Sequence, residues 1–239
     1  MKVALCLSGM PRDIDFTWPF FQKNLLEHYD VDIFGSFWID ELGQDNGHGI
    51  LDKPYEHFKE SHFVDLCKPK MVKYVTLNNE ILNAINEINY RKLELAGIEK
   101  FRNYRALCMF YMIEQCNRLR REYEFFSQQK YDIVIRCRSD LVMYNKPDFS
   151  NIANKIIYMS KYITAPGIND TCWWSDNETA NIFSEIFSFF LSFNFRNIKV
   201  DRLEPEPMMS ILAAINGIKF QWTEDLNAIA RFEKNKNKS

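Results

Sequence analysis

Short apolar runs recur along the chain with longer, helix-spaced segments between them, and this alternation constrains the fold more than any other feature of the 239 residues. The strand candidates are Lys2–Ser8, Val31–Phe37, Met71–Leu77, Tyr131–Arg138, Lys155–Ser160 and Gly217–Trp222. Several are unbroken Val/Ile/Leu/Phe runs, the pattern of strands covered on both faces. Helical spacing predicts Trp18–His28, with Pro19 in its first turn. It also predicts Phe101–Phe126, where Phe101, Tyr104, Cys108, Tyr111, Leu119, Tyr123 and Phe126 share a face, and then Asn177–Phe190 and Pro207–Ile215. Asn216-Gly217 supplies a C-cap for the last of these. Strands alternating with helices predict an α/β fold, with a mostly parallel central sheet and helices on both faces. The length suits one domain over residues 1–239, with the polar tail 231–239 frayed.

Composition agrees with a packed domain. The chain is 46% hydrophobic, which excludes wholesale disorder, and 30 Lys+Arg against 32 Asp+Glu lack the basic excess of a nucleic-acid binder. The first apolar run stops after Leu7, short of the apolar core and cleavage site of a secretory signal. Ile182–Phe195 is interrupted by Glu185, Ser188, Ser192 and Asn194, so it predicts a buried helix and not a transmembrane one. The cysteines at 6, 67, 108, 116, 137 and 172 never form CxxC, which predicts reduced thiols in the core. The expectation is a soluble, cytoplasmic protein. Weak attraction of the basic tail to the anionic inner face of a membrane is the sharper alternative to simple fraying.

In open α/β sheets, ligands bind outside the carboxyl ends of strands, which directs attention to three places. The first is Ser8-Gly9-Met10-Pro11-Arg12. Gly9 lets the backbone approach a ligand, and Arg12 can fork onto a phosphate or carboxylate; the plain alternative is a strand-to-helix turn with a surface Arg. The second is Arg136-Cys137-Arg138-Ser139-Asp140. Alternation puts Arg136, Arg138 and Asp140 on one face, opposite Ile135 and Cys137. Two arginines on so apolar a strand need partners, either an anionic ligand or carboxylates such as Asp140 or Glu206 in a buried ion network. The third is Gly167-Ile168-Asn169-Asp170-Thr171-Cys172-Trp173-Trp174. An acid leading into adjacent tryptophans reads as a sugar-facing wall, with core filling as the alternative for Trp173 and Trp174. Glu204-Pro205-Glu206-Pro207 precedes a helix, where Glu206 is either functional or a favourable first-turn charge. Asp40–Pro54, rich in Gly and polar residues after a strand, predicts a mobile loop beside the crevice.

Other chemistries lose their markers. His57, His62 and Cys67 lack zinc-ligand spacing, and GxSxG, GxGxxG and a Walker loop are absent.

Taken in order, these blocks resemble a family of bacterial and viral glycosyltransferases of the GT-A type. LysValAlaLeuCysLeuSerGlyMetProArg resembles its opening strand and turn, and ValAspIlePheGlySerPheTrp (31–38) its second strand. TyrAspIleValIleArgCysArgSerAsp (131–140) is similar to its Arg-x-Arg-x-Asp strand, and AsnAspThrCysTrpTrpSer (169–175) to its Asn-Asp block. GluProGlu (204–206) and AsnGlyIleLys (216–219) resemble its last block. The similarity spans residues 1–222.

The resemblance implies transfer of a sugar from a nucleoside-diphosphate sugar, such as a UDP-sugar, to a glycan acceptor in capsule, lipopolysaccharide or other surface glycan synthesis. It implies that Ser8, Gly9 and Arg12 line the nucleotide pocket. Asp140 then ends a DxD-like element holding a divalent cation, Mn²⁺ or Mg²⁺, against the diphosphate. Asp170 or Glu206 becomes the base near the acceptor. Arg136, Arg138 and Arg12 would help neutralise the leaving diphosphate. Two departures stand out: the DxD position reads Arg138-Ser139-Asp140, and no His follows His62. The rivals are a nucleotidyltransferase of similar fold, against which SerGlyMetProArg lacks a Lys, and a catalytically silent subunit that binds a nucleotide or a partner.

Overall fold

Lys2–Gly9 (β1) is buried along nearly its whole length and is an interior strand of a seven-stranded sheet. It pairs in parallel with Asp30–Trp38 (β2) on one side and with Ile133–Cys137 (β4) on the other. Met71–Val75 (β3) extends the β2 side in parallel. On the other side β4 is followed by antiparallel Cys172–Asp176 (β7), then Ile156–Ser160 (β6), with Lys219–Thr223 (β8) parallel to β6. The order is β3-β2-β1-β4-β7-β6-β8, and among these strands β7 runs against the rest. Leu141–Met143 (β5) pairs separately with Asn227–Ile229 (β9). This computed structural model describes residues 1–38, 60–75, 100–160, 168–193, 205–223 and 227–229. The predicted loop 40–54, the tail 231–239, His57 and residues 166–167 and 202–204 lie outside them.

Alternation along β1 sorts its side chains between two cores. Val3, Leu5 and Leu7 pack with Ile14, Trp18 and Phe21 of helix α1 (Ile14–Phe21) and with Phe63 and Cys67 of α2 (Glu60–Cys67). Ala4 and Cys6 point the other way, toward Leu107, Phe110, Ile113 and Cys116 of α3 (Lys100–Ser127). That second core also takes Ala180 and Phe183 of α4 (Asn177–Phe183), Ile186 and Phe190 of α5 (Ile186–Ser192), and Met208 and Leu212 of α6 (Pro205–Ile215). The result is an α/β fold with helices on both faces of a mixed, mostly parallel sheet.

Three predicted helices need correction. The first starts at Ile14, four residues earlier than the spacing predicted, so Pro19 sits inside it and gives way to a wider π-type turn at Gln22–Leu26. Proline has no N–H for the Asp15 carbonyl, and its ring crowds that carbonyl. The predicted Asn177–Phe190 helix is two helices, broken at Ser184-Glu185. Asp176 caps the first through Thr179 N (3.0 Å), and Glu114 of α3 caps the second by accepting Ser188 N (2.8 Å) and Ser188 Oγ (2.6 Å). The last helix begins at Pro205, which places Glu206 in its first turn, and Gly217 closes it at φ 66° with Ile218 N donating to Ala213 O at 2.8 Å. Among the described residues, no helix is long and apolar enough to cross a membrane.

Two features of this topology position a site. The chain moves from β1 outward to β2 and β3 and then returns to β4 on the opposite flank of β1. In open α/β sheets such a reversal is where the ligand crevice forms, which here means the carboxyl ends of β1 and β4. Beside that edge, Cys116 Sγ donates to Leu7 O (3.6 Å) and Ser36 Oγ to Met112 Sδ (3.5 Å). These contacts set the middle of α3 level with the carboxyl ends of β1 and β2.

Candidate functional site

The turns that leave β1 and β4 are joined to each other. Ser139, 1% exposed, accepts the Arg12 backbone N–H at 2.9 Å and donates its hydroxyl to Met10 O at 3.0 Å. Thr17 of α1 donates to Ser139 O at 2.6 Å. Gly9 adopts φ 116°, a conformation L side chains rarely take, and the space where a Cβ would project is open. Its glycine character is thus required by the backbone, with free volume beside it. Arg12 is half-buried, and its Nη2 donates to Met10 Sδ at 2.6 Å.

Arg136 unites three of the sequence blocks. It lies on the α3 face of β4 and is 1% exposed. Its Nε donates to Ser8 Oγ at 3.0 Å and its Nη1 to the backbone carbonyl of Asp170, while its buried Nη2 has no hydrogen-bond partner among the described residues. The opening turn, the arginine strand and the Asn-Asp block therefore meet at one guanidinium. Burial pushes that guanidinium below its ordinary value, against the opposing effect of nearby Asp170, and Arg138 adds like-charge repulsion.

The Asp170 loop is held in shape by its neighbour. Buried Asn169 Oδ1 accepts Thr171 N (2.8 Å), Thr171 Oγ1 (2.6 Å) and Cys172 N (3.2 Å). Arg138 N donates to Thr171 O at 3.0 Å, which fastens the loop to the end of β4. The half-buried Asp170 carboxylate takes no hydrogen bond among the described residues, and its charge reaches both Arg136 and Arg138.

Arg138 and Asp140 form a two-pronged pair, Nε to Oδ1 at 2.8 Å and Nη2 to Oδ2 at 2.5 Å. The Arg138 side chain is 25% exposed and that of Asp140 is 5% exposed. Burial lowers the Arg138 proton affinity, but Asp140 and Asp170 outweigh it, so the net direction is up. With both Asp140 oxygens engaged by a guanidinium, this residue as it stands does not fit the cation-ligand position that the resemblance implied.

Other expected residues fall elsewhere. Trp174 is a correction: it is 2% exposed in the middle of β7, stacked on Tyr158 at 6.4 Å and edge-on to Phe149, so it fills the core and offers no face to a sugar. Trp173 is likewise buried, against Phe183. Glu206 is half-buried and its carbonyl accepts Ser210 Oγ at 2.9 Å. Because α6 feeds a strand parallel to β6, its first turn lies on the carboxyl side of the sheet. His62 pairs with Asp15, and all six cysteines are buried and free. Sequence reasoning passed over Ser139, Thr17 and Asn169, small polar residues that assemble the crevice through backbone contacts and carry no charge to draw attention.

Comparison with protein-family models gives no match, and comparison with curated proteins gives no significant relative.

Proposed function

We propose that the chain is a glycosyltransferase of the GT-A type, moving a sugar from a nucleoside-diphosphate sugar to a hydroxyl of a glycan acceptor. The observation that supports this most is the Arg136 junction, which gathers Ser8, Arg136 and the Asp170 loop at the reversal point of the sheet. Sugar transfer needs positive charge where a diphosphate departs and, for inversion, a carboxylate to take the acceptor proton. Arg138, at the crevice mouth, supplies the first. Arg136 is spent largely on the protein and positions the loop. Asp170 is the candidate base, being the carboxylate here that no guanidinium forks, with Glu206 as the more remote candidate. A divalent cation bound in such a site would share the neutralisation of the diphosphate, but Asp140 as it stands is paired with Arg138.

The test is calorimetric binding of UDP- and GDP-sugars together with donor hydrolysis. The expected outcome is saturable binding with slow donor turnover. Failure of every nucleotide sugar to bind at high micromolar concentration, with Mn²⁺ present, overturns the proposal.

A second reading, a catalytically silent subunit that binds a nucleotide or a partner, is favoured by the Arg138–Asp140 pair, which occupies the carboxylate that the resemblance assigned to metal.

A further inference from the structure

We infer, on the reading of the crevice just given, that the diphosphate is held by the guanidinium of Arg138 in place of a divalent cation, with Asp140 serving to orient that guanidinium. Arg138 keeps 25% of its side-chain surface and Asp140 only 5%, so a ligand entering the crevice meets the guanidinium before the carboxylate. The carboxylate takes Nε and one proton of Nη2. An arginine has five N–H donors in a planar fork, and Nη1 of Arg138 makes no hydrogen bond among the described residues. The unused edge can donate to phosphate oxygens while the Asp140 fork stays intact.

The backbone reinforces this arrangement. Arg138 N is tied to Thr171 O, and Ser139 is tied to Met10, Arg12 and Thr17. Turning the Asp140 side chain outward to ligate a cation would break both prongs of the fork. Charge points the same way. Asp140 and Asp170 match Arg136 and Arg138 in number, but the more exposed member of the fork is Arg138, so an anion approaching it meets positive charge first.

The experiment is calorimetry with UDP, GDP, CDP and dTDP, first in EDTA and then with Mn²⁺. The expected result is that at least one nucleoside diphosphate binds in EDTA, and that Mn²⁺ changes its affinity by less than about threefold, well short of the tenfold that 1.4 kcal/mol represents. Arg138→Ala should weaken binding by about tenfold or more, the loss of a charge-assisted contact. Asp140→Asn should weaken binding to the same extent in EDTA and in Mn²⁺, because it loosens the fork that orients Arg138. Binding that appears only with Mn²⁺, or that Asp140→Asn weakens only when Mn²⁺ is present, overturns the inference and leaves the glycosyltransferase reading standing. If no nucleotide binds under either condition, that reading falls and the inference with it. The Mn²⁺ comparison uses the unaltered chain, so it decides the matter even where a variant fails to fold.

Discussion

The hydroxyl of Ser139 receives the backbone N–H of Arg12 at 2.9 Å, across 127 positions of sequence, and returns its own proton to Met10 O. One small side chain thereby fixes the turn after β1 against the turn after β4. Ser139→Ala should remove the hydroxyl that joins a part-buried N–H and a part-buried carbonyl, lowering stability by about 1–3 kcal/mol. The urea midpoint should fall with an unchanged slope, the sign of lost stability without a change in compactness. Nucleotide affinity should fall as well, because the two turns that frame the crevice lose their register. Unchanged affinity in the folded variant would show that the crevice does not depend on this tie.

Trp174 separates a packing role from a ligand role. It is buried between Tyr158 and Phe149, so Trp174→Phe should lose part of the roughly 3–5 kcal/mol that truncation to Ala costs in a core. The variant that remains folded should bind nucleotide sugars like the parent. Normal stability combined with lost donor binding would restore the sugar-wall role to this ring.

Alkaline pH should destabilise the fold more steeply than for a protein with ordinary titrations. Burial pushes the Cys67 thiol up to about 12, helped by Asp15, and burial with Glu60 and Cys67 pushes Tyr74 to about 12. Burial also raises Cys116 and Cys137, and it raises Tyr131 together with the Tyr131 hydrogen bond to Asp32. Each group holds its proton more tightly folded than unfolded. The share from Cys67 is therefore intact below the unfolded thiol value near pH 9 and is lost as pH rises toward about 12, by about 1.4 kcal/mol per pH unit; the other raised groups act in the same direction, while Cys6, lowered by its hydrogen bond with Cys116, opposes Cys116. Urea midpoints measured through this range should fall, and Cys67→Ala should make the fall shallower by one group's share. A midpoint flat across the range would show that these protons are held no more tightly in the fold.

Much of the fold was legible because parallel, doubly covered strands write continuous apolar runs. All six predicted strands occur, and α3 matches its predicted span to within one residue at each end. What was missed has a common cause. β7 is a five-residue strand, CysTrpTrpSerAsp, entered from a polar Asn-Asp-Thr turn, and its two indoles looked like a surface feature until the antiparallel pairing to β4 and β6 buried them. α2 was unmarked in an unremarkable polar stretch. At the site, the charged residues were visible one by one, and Arg136 did fall on the face opposite Ile135 and Cys137. Its hydrogen bond to Ser8 was not visible, and Asp140 stood only as one of several partners for the two arginines, because local sequence does not say which charges satisfy one another.

Asp170→Asn distinguishes an enzyme from a silent binding subunit. The carboxylate of Asp170 accepts no hydrogen bond among the described residues. The loop is shaped instead by Asn169 and by the Asp170 backbone carbonyl, which holds Arg136. Replacing the carboxylate with an amide leaves the backbone contacts in place but removes a charge that favours both guanidiniums, so stability should fall by about 1 kcal/mol. Nucleotide affinity should stay within a few-fold of the parent. Sugar transfer should drop by about 10²–10⁴, the range for loss of a general base. Single-turnover assays with a radiolabelled donor, run beside calorimetry on the same preparation, read the two quantities separately. Transfer that survives in Asp170→Asn but is lost in Glu206→Gln would move the base to the first turn of α6. Measurable donor binding with no transfer in the parent itself would favour the silent subunit.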